Sequence, residues 1–315
     1  MAQIMTVCGP IAPDELGFTL PHEHIFIDLT AFPGGITMHG LDGFIDPVRH
    51  TDIMIEEVRA FQAAGGKSIV DVTCRNMGGD IRALQGVAEA TGAHIIAGCG
   101  WYRESYMDHD LYHRSTNELA ESLIDEIENG LGDTGIRPGI LGEIGVNYNH
   151  YHLSAKEERC LRAVAKAQQH SGLAVTTHLP KARVAHEVLD VLGEHGVPAE
   201  RVILGHSDAY KDAGYHASLT KRGAYVQYDN IGSTLDAPWG ESELLDLMVG
   251  LLGQGYVERI LLSQDICGRS HMKHYGGRGF DYIATKFLPM LRERGISEEQ
   301  IQIMTVGNPK RILSV

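Results

Sequence analysis

Two histidines separated by one residue lie in the first strongly apolar run of the sequence. They are His22 and His24, in the segment PHEHIF. Because side chains at positions i and i+2 of a β-strand point to the same face, two such imidazoles could bind one metal ion together. Core or surface histidines also produce this spacing by chance, so the pair alone leaves both interpretations open.

Four more residues of metal-binding types stand at the ends of other short apolar runs. They are Glu143, His178, His206 and Asp265. Each one alone could cap a helix or form a hydrogen bond in the core, but the same placement in four runs favours a shared role. With the histidine pair they supply four imidazoles and two carboxylates. The set predicts a metal centre where the strands end.

Six protein ligands are more than one zinc ion uses, since zinc generally takes about four. They suit two divalent ions, with Glu143 or Asp265 able to give one carboxylate oxygen to each. Paired ions about 3.5–4 Å apart can hold a hydroxide and polarise a scissile bond, and zinc lowers the pKa of bound water to about 7. We therefore expect metal-assisted hydrolysis with two divalent ions per chain, zinc before Mn2+, Co2+ or Fe2+.

The elements that must position these residues are short apolar runs, rich in Val and Ile, that recur along the chain. Their near-continuous apolar character is typical of parallel strands covered on both faces. The runs occupy residues 18–29, 68–73, 94–100, 139–145, 173–179, 201–208, 224–230 and 259–265. Amphipathic stretches lie between them. Ser115 with Glu118, and Ser154 with Glu157, predict capping boxes at two helix starts.

Eight strands alternating with helices predict an α/β fold, a single (β/α)8 TIM barrel that takes residues 1–315 as one domain. Barrel enzymes place their sites at the C-terminal face, so we expect the binuclear metal site there. A doubly wound open sheet is the alternative. That fold usually has a glycine-rich phosphate loop after its first strand, where this sequence has PHEHIF. The barrel is therefore preferred.

The net charge and the cysteine content limit the kinds of partner and the cellular compartment that we expect. The chain has 27 Lys and Arg against 41 Asp and Glu, a net charge of −14, which argues against a nucleic-acid or membrane-surface partner. Five scattered cysteines without a CxxC pair indicate neither a disulfide framework nor a structural zinc cluster. The pattern of a signal peptide or a membrane-spanning run is not seen. We expect a cytoplasmic protein with a small-molecule substrate, and a homodimer as the default assembly.

The motifs PHEHIFIDL, GEIG, TTHL, GHSD and LLSQD resemble those of the phosphotriesterase family of the amidohydrolase superfamily, from Gly9 to the final GNPKRIL. The resemblance implies a binuclear (β/α)8 hydrolase. It assigns to the more buried ion the residues His22, His24 and Asp265. It assigns to the more exposed ion the residues His178 and His206.

Glu143 falls at the bridging position of that family. Many members carry a carboxylated lysine there, whereas this chain is similar to the phosphotriesterase-related and lactonase branch with a glutamate, which needs no carboxylation. The resemblance also implies that Asp265 hydrogen-bonds the bridging hydroxide and takes up its proton. Tyr102, in GCGWYRESY, falls where lactonase members carry a tyrosine near the substrate carbonyl, with a packed rim aromatic as the alternative. Asp265 and Tyr102 are thus the candidate catalytic residues.

The organophosphate-degrading members of the family have an aspartate and a histidine that form a proton relay behind the site. The matching positions here are Ala209 and Asn230. This difference argues against fast organophosphate hydrolysis as the native activity.

The loop after the eighth strand, ICGRSHMKHYGGRGF, supplies further candidate substrate contacts. Arg269, Lys273 and Arg278 could recognise an anionic group of the substrate, with solvated loop charges as the alternative. Cys267, two residues past Asp265, could line the pocket. Glycines in this loop would let it move as a substrate lid.

These observations favour a lactonase or another carboxylic ester hydrolase. A phosphoric ester hydrolase of phosphotriesterase type and an N-acyl amide hydrolase are the nearest alternatives, because the same ions activate water against each of these bonds. A ligand-binding barrel that retains metal without catalysis is the alternative from another class.

Overall fold

Eight parallel strands form one sheet in strict chain order. The computed structural model describes residues 2–30, 40–107, 109–146, 152–180, 182–233 and 240–315. The strands are β1 Thr19–Glu23, β2 Ser68–Asp71, β3 His94–Cys99, β4 Ile140–Gly145, β5 Val175–His178, β6 Val202–Leu204, β7 Tyr225–Tyr228 and β8 Ile260–Leu262. An antiparallel pair, Ile4–Thr6 with Gly9–Ile11, precedes β1.

The chain after β8 meets β1 and closes the sheet into a barrel. The His22 N–H donates to Ser263 Oγ at 2.9 Å. The Asp265 N–H donates to the His22 carbonyl oxygen, and the His24 N–H donates to the Ile266 carbonyl oxygen, both at 3.3 Å. The α/β TIM barrel expected from the strand count is confirmed, and its closing seam carries three of the six candidate ligands.

Helices follow every strand and cover the outside of the barrel. They are α1 Pro47–Ala63, α2 Ile81–Thr91, α3 Thr116–Asn129, α4 Ala155–Ser171, α5 Ala185–Glu194, α6 Ala213–Lys221, α7 Glu241–Gly253, α8 Leu288–Glu293, α9 Glu298–Gln302 and α10 Asn308–Leu313. Ser115 and Ser154 begin α3 and α4 with the expected capping boxes. None of the helices in the described part of the chain combines the length and apolar character that crossing a bilayer requires.

The strand residues divide between two apolar clusters. One cluster fills the inside of the barrel, where strand residues such as Val70, Ile96, Ile203 and Leu261 meet residues from both ends of the chain. The other, larger cluster lies between the strands and the surrounding helices. Both faces of the sheet are therefore covered, which explains why the strands read as near-continuous apolar runs.

Several strands are shorter than the apolar runs that predict them. β6 ends at Leu204 and β8 ends at Leu262, so His206 and Asp265 lie beyond their strands. Both residues have left-handed backbone conformations, with φ of 54° and 51°. Such conformations are unfavourable for residues other than glycine and turn the chain sharply. The turn directs these two side chains toward the barrel axis, where the other ligands lie.

The contact of β3 with β4 depends on a glycine. A Cβ built on Gly98 would lie 2.0 Å from the carbonyl oxygen of Gly142, whereas a Cβ on Gly86, exposed on α2, would meet nothing within 4 Å. We expect Gly98→Ala to lower the free energy of unfolding by about 1–3 kcal/mol, since the backbone of β4 must shift. Urea-induced unfolding measures this change. The control Gly86→Ala should raise the same free energy by about 1 kcal/mol through helix propensity, and equal stability of Gly98→Ala and wild type would contradict the close contact.

Candidate metal centre

All six candidate ligands come together at the C-terminal end of the barrel, where parallel strands end side by side. Three of them lie on strands, namely His22 on β1, Glu143 on β4 and His178 on β5. The other three follow β1, β6 and β8, namely His24, His206 and Asp265. Five are buried, and only the Asp265 side chain is partly exposed.

Glu143 lies at the centre of the cluster. Its Oε1 is 2.8 Å from His178 Nδ1, 3.1 Å from His206 Nε2 and 3.3 Å from His22 Nε2. Its Oε2 is 3.9 Å from His24 Nε2. One carboxylate thus faces all four imidazoles, which is the placement that a bridging ligand needs.

Asp265 faces the histidine pair from the β8 side. Its Oδ1 is 3.3 Å from His24 Nε2 and 3.8 Å from His22 Nε2. Three overlapping groups have ligand atoms within 4.8 Å of one another, and each group could hold a metal ion. These groups are His22, His206 and Asp265; His22, His24 and Glu143; and Glu143, His178 and His206. Because the groups share members, the six residues form one continuous cluster.

Two inward-facing atoms of the cluster lack hydrogen bonds. His22 Nε2 and Asp265 Oδ1 are buried, and neither has a hydrogen-bond partner among the described residues. A buried polar atom without a partner is costly and rare in proteins. Imidazole nitrogens and carboxylate oxygens are the ligands that zinc and related divalent ions accept. The residues present therefore fit a metal centre.

Burial and the mutual charges of the cluster shift its protonation states in both directions. Burial lowers the pKa of His22 and His206, but the carboxylates of Glu143 and Asp229 outweigh it and hold the pKa of both imidazoles well above its usual value, so a bound cation would displace their protons. Burial raises the pKa of Glu143, but the imidazoles of His178 and His22 outweigh this effect and hold the pKa well below its usual range. Burial lowers the pKa of His178 to about 3, although Glu143 opposes the shift. Near pH 7 the carboxylate is thus ionised and His178 is neutral, with a lone pair available to a cation.

Asp229, one residue beyond β7, supports the cluster from behind. Its Oδ1 lies 2.7 Å from His206 Nδ1, and its Oδ2 lies 3.1 Å from His22 Nδ1. The His206 N–H also donates to this carboxylate, at 3.0 Å. A carboxylate that accepts from Nδ1 leaves the lone pair of Nε2 free to face a metal. Asp229 therefore orients one imidazole from each half of the cluster.

Sequence reasoning missed Asp229, although a signal was present. Asp229 stands near the end of the seventh apolar run, as Glu143 and Asp265 stand near the ends of the fourth and eighth runs. Thr73 was also missed, and its Oγ1 lies 2.8 Å from His24 Nδ1. A single threonine carries no comparable signal, because its hydroxyl serves many structural roles.

Tyr102 reaches the cluster from the loop after β3. Its Oη is 3.3 Å from His178 Nε2, and the two rings lie 4.7 Å apart. The side chain is buried, and the Arg103 guanidinium lies 5.0 Å from the centre of its ring. The structure thus places this candidate catalytic residue beside a candidate ligand.

The candidate substrate contacts after β8 differ in their surroundings. Cys267, two residues after Asp265, is buried. Lys273 forms an ion pair with Asp281 at 2.7 Å, and Arg278 Nη2 donates to the Gln264 carbonyl oxygen at 2.6 Å. No hydrogen bond or ion pair in the described part of the chain joins Arg269 or Lys273 to the six-residue cluster. Their role in substrate binding stays a prediction.

Replacing Asp229 tests whether it orients both halves of the centre. In Asp229→Asn one acceptor oxygen becomes an NH2 group, which cannot accept from an imidazole N–H. We expect the affinity for Mn2+ to fall about 10- to 100-fold, the usual loss when a group that orients a metal ligand is removed. Calorimetric titration of chelator-stripped protein with Mn2+ measures this affinity, and electron paramagnetic resonance reports whether two ions are coupled.

Asp212→Asn is the matched control for this variant. Asp212 is exposed and caps α6 by accepting from the Tyr215 N–H, and asparagine caps helices equally well. The control should bind Mn2+ as wild type does. Wild-type affinity and a coupled pair of ions in Asp229→Asn would contradict the role given to Asp229.

The sequence of the chain is similar to one protein family and to several known proteins. The family model described as the phosphotriesterase family matches residues 2–313. The phosphotriesterase homology protein of Escherichia coli is 32% identical over 95% of this chain and 98% of its own length. The N-acetyltaurine hydrolase of Danio rerio is 29% identical over 99% of this chain and 98% of its own length.

Solved structures agree with this placement. A resiniferatoxin-binding protein from Rhodobacter sphaeroides has a TM-score of 0.90 and 33% identity, over 99% of this chain and 94% of that chain. A lactonase from Listeria monocytogenes has a TM-score of 0.88 and 28% identity, over 99% of this chain and 98% of that one. The match of fold, motifs and length leads to one conclusion: the chain belongs to the phosphotriesterase family of hydrolases.

Proposed function

We propose that the protein is a binuclear metal-dependent hydrolase of carboxylic esters, and of lactones first among them. The observation that carries the proposal is the position of Glu143, whose carboxylate faces imidazoles from β1, β5 and the turn after β6. His22, His24 and Asp265 would hold one ion, and His178 and His206 the other, with Glu143 shared. Zinc is the first choice for both ions, since the ligands are imidazoles and carboxylates.

Divalent ions at this centre would supply an ionised water near neutral pH and polarise a carbonyl oxygen. Asp265 is the candidate proton acceptor. Its side chain is 15% exposed, whereas that of His206, the next most exposed of the six, is 6% exposed. Of the six residues, Asp265 is therefore the one whose position best suits taking a proton inside the centre and releasing it to solvent.

Tyr102 favours a carbonyl substrate. Its phenol lies beside His178, and a phenolic O–H can donate to a carbonyl oxygen or to the oxyanion that develops from it. A buried, oriented donor is most useful where charge develops on one oxygen during attack. Attack on a lactone or ester carbonyl meets that condition.

The surroundings of Asn230 support a carbonyl substrate over a phosphotriester. Asn230 Nδ2 donates to Asp208 Oδ1 at 2.8 Å, and the Asn230 N–H donates to Asp208 Oδ2 at 2.7 Å. A side-chain amide does not take up a proton at ordinary pH. Asn230 therefore cannot continue a proton relay of the kind found in the organophosphate-degrading members.

Hydrolysis of an N-acyl amide is the second candidate function. It is favoured by the relatives named N-acetyltaurine hydrolase, of which the Danio rerio protein matches 99% of this chain. The same residues would serve an amide carbonyl, with the protonated Asp265 carboxyl returning its proton to the leaving amine.

Removing the metal tests whether the protein is a metalloenzyme. We expect turnover of γ- and δ-lactones to disappear after dialysis against a chelator and to return with Zn2+ or Mn2+. Metal analysis of the active protein should find two ions per chain. If the barrel instead retains metal without catalysis, no lactone, N-acyl amino acid or phosphate ester should be turned over, whichever metal is bound. Activity that survives complete metal removal would also contradict the proposal.

Replacing Asp265 tests its role as proton acceptor. In Asp265→Asn the remaining oxygen can still face a cation, but the side chain cannot accept a proton. We expect kcat to fall about 10²- to 10⁴-fold, the usual contribution of a general base, while part of the metal stays bound. Metal content and kcat are measured on the same sample. Undiminished kcat in a metal-loaded Asp265→Asn protein would remove Asp265 from the mechanism.

A further inference from the structure

A small cavity lies between the loops that follow β7 and β8. Its volume is about 290 Å3. Gly232 and Ser233 line it from the loop after β7, and Ser270, His271 and residues 276–278 line it from the loop after β8. Loops after the seventh and eighth strands are a frequent place for anion binding in TIM barrels.

Arg278 is the cation of this cavity. Its Nη2 donates to the Gln264 carbonyl oxygen at 2.6 Å, which holds the guanidinium in place. Its Nε is buried and has no hydrogen-bond partner among the described residues. A buried charged N–H without an acceptor is costly, because it has lost its hydration without replacement. The guanidinium is therefore fixed and still able to donate.

The glycine opposite Arg278 gives the side chain its room. A Cβ on Gly232 would lie 2.9 Å from Arg278 Cδ, and Gly232 has a φ of 76°, which favours glycine. The close approach of the two loops thus depends on a residue without a side chain.

The other polar side chains that line the cavity are hydroxyls and an imidazole. They belong to Ser233, Ser270 and His271, and no carboxylate is among the described lining residues. The hydroxyl of Ser270 donates to Asp42 at 2.7 Å, so it is used outside the cavity. The described lining thus has one guanidinium and no carboxylate, which suits an oxyanion rather than a cation or an apolar group.

The two loops that form the cavity also carry the metal centre. Gly232 follows Asp229, which contacts His206, and the loop after β8 begins with Asp265. The Cys267 N–H lies 3.4 Å from His271 Nδ1, so the segment after Asp265 contacts the cavity wall directly. The walls of the cavity are thus built from the two segments that carry Asp229 and Asp265.

We propose that this cavity is a subsite for a carboxylate, sulfonate or phosphate group of the substrate, held by the guanidinium of Arg278. The identity of the bond that is hydrolysed rests on the proposed function, whereas the anion site does not. Of the three cations in the loop after β8, Arg278 is the one found among the described lining residues of the cavity. Lys273 pairs with Asp281 instead. The substrate is thus an ester, lactone or amide with an anionic group.

Kinetics with paired substrates test the subsite. The pair is a lactone with a carboxylate on its side chain and the methyl ester of the same carboxylate, both given to the metal-loaded protein. In Arg278→Met we expect KM for the anionic lactone to rise about 10- to 100-fold, the range for a lost charged hydrogen bond. The kcat for both lactones, and KM for the neutral one, should stay near wild type. An equal change of KM for both lactones would overturn the proposal.

Two further variants control for charge and folding. Lys286→Met removes an exposed cation from the segment that follows this loop, outside the cavity and away from every candidate substrate contact, and should leave both KM values unchanged. Arg278→Lys keeps the charge without the planar fork and should restore part of the affinity for the anionic lactone. If Lys286→Met raised KM for the anionic lactone as much as Arg278→Met does, the effect would be a general attraction of anions, and the subsite would be overturned.

Sulfate binding separates the subsite from the reaction. At constant ionic strength set with chloride, sulfate should raise the melting temperature of wild type and of Lys286→Met but not of Arg278→Met. This result without lactone turnover keeps the anion site and refutes the proposed function. Equal protection of Arg278→Met would place sulfate at the metals or elsewhere and overturn the inference, even if lactones are hydrolysed.

Discussion

Mutual compensation of buried charges at the mouth of the barrel is the interaction on which the rest of the structure depends. Glu143 and Asp229 are buried almost completely, and each faces at least two imidazoles. A buried charge that loses its partner costs several kcal/mol. The ends of the strands must therefore stay in register. The contacts between β1 and the chain after β8 both close the barrel and position the candidate metal ligands.

Apolar and polar side chains occupy different levels along the axis of the barrel. Ile4, Leu16, Ile312 and Leu313 join strand residues in the apolar cluster inside the barrel, while the polar cluster occupies the opposite end. Glu23 joins β1 to the segment after β8: its carboxylate accepts from Ser263 Oγ and from the N–H groups of Gln264 and Ile266, at 2.7–2.9 Å. Burial raises its pKa to about 7, although these donors oppose the shift.

The sequence predicted the barrel because parallel strands covered on both faces lose alternation and read as apolar runs. It predicted the six-residue cluster because strand ends of a barrel converge whatever the intervening loops do. It did not reveal Asp229 as the support of two imidazoles, since that depends on side-chain contacts across the barrel. Nor could it tell Arg278 from Arg269 and Lys273, because spacing within a loop does not report which cation faces a cavity and which pairs with an aspartate.

The left-handed backbone of His206 and Asp265 has a consequence for the amount of protein in a cell. Each such conformation costs about 1–3 kcal/mol. In the metal-free protein this cost lowers the free energy of unfolding, and no metal binding compensates for it. Ions that bind only the folded chain stabilise it by mass action. With the metals bound as proposed, a shortage of metal would raise the unfolded fraction and expose the chain to proteases. Metal supply would then control the lifetime of the protein as well as its activity.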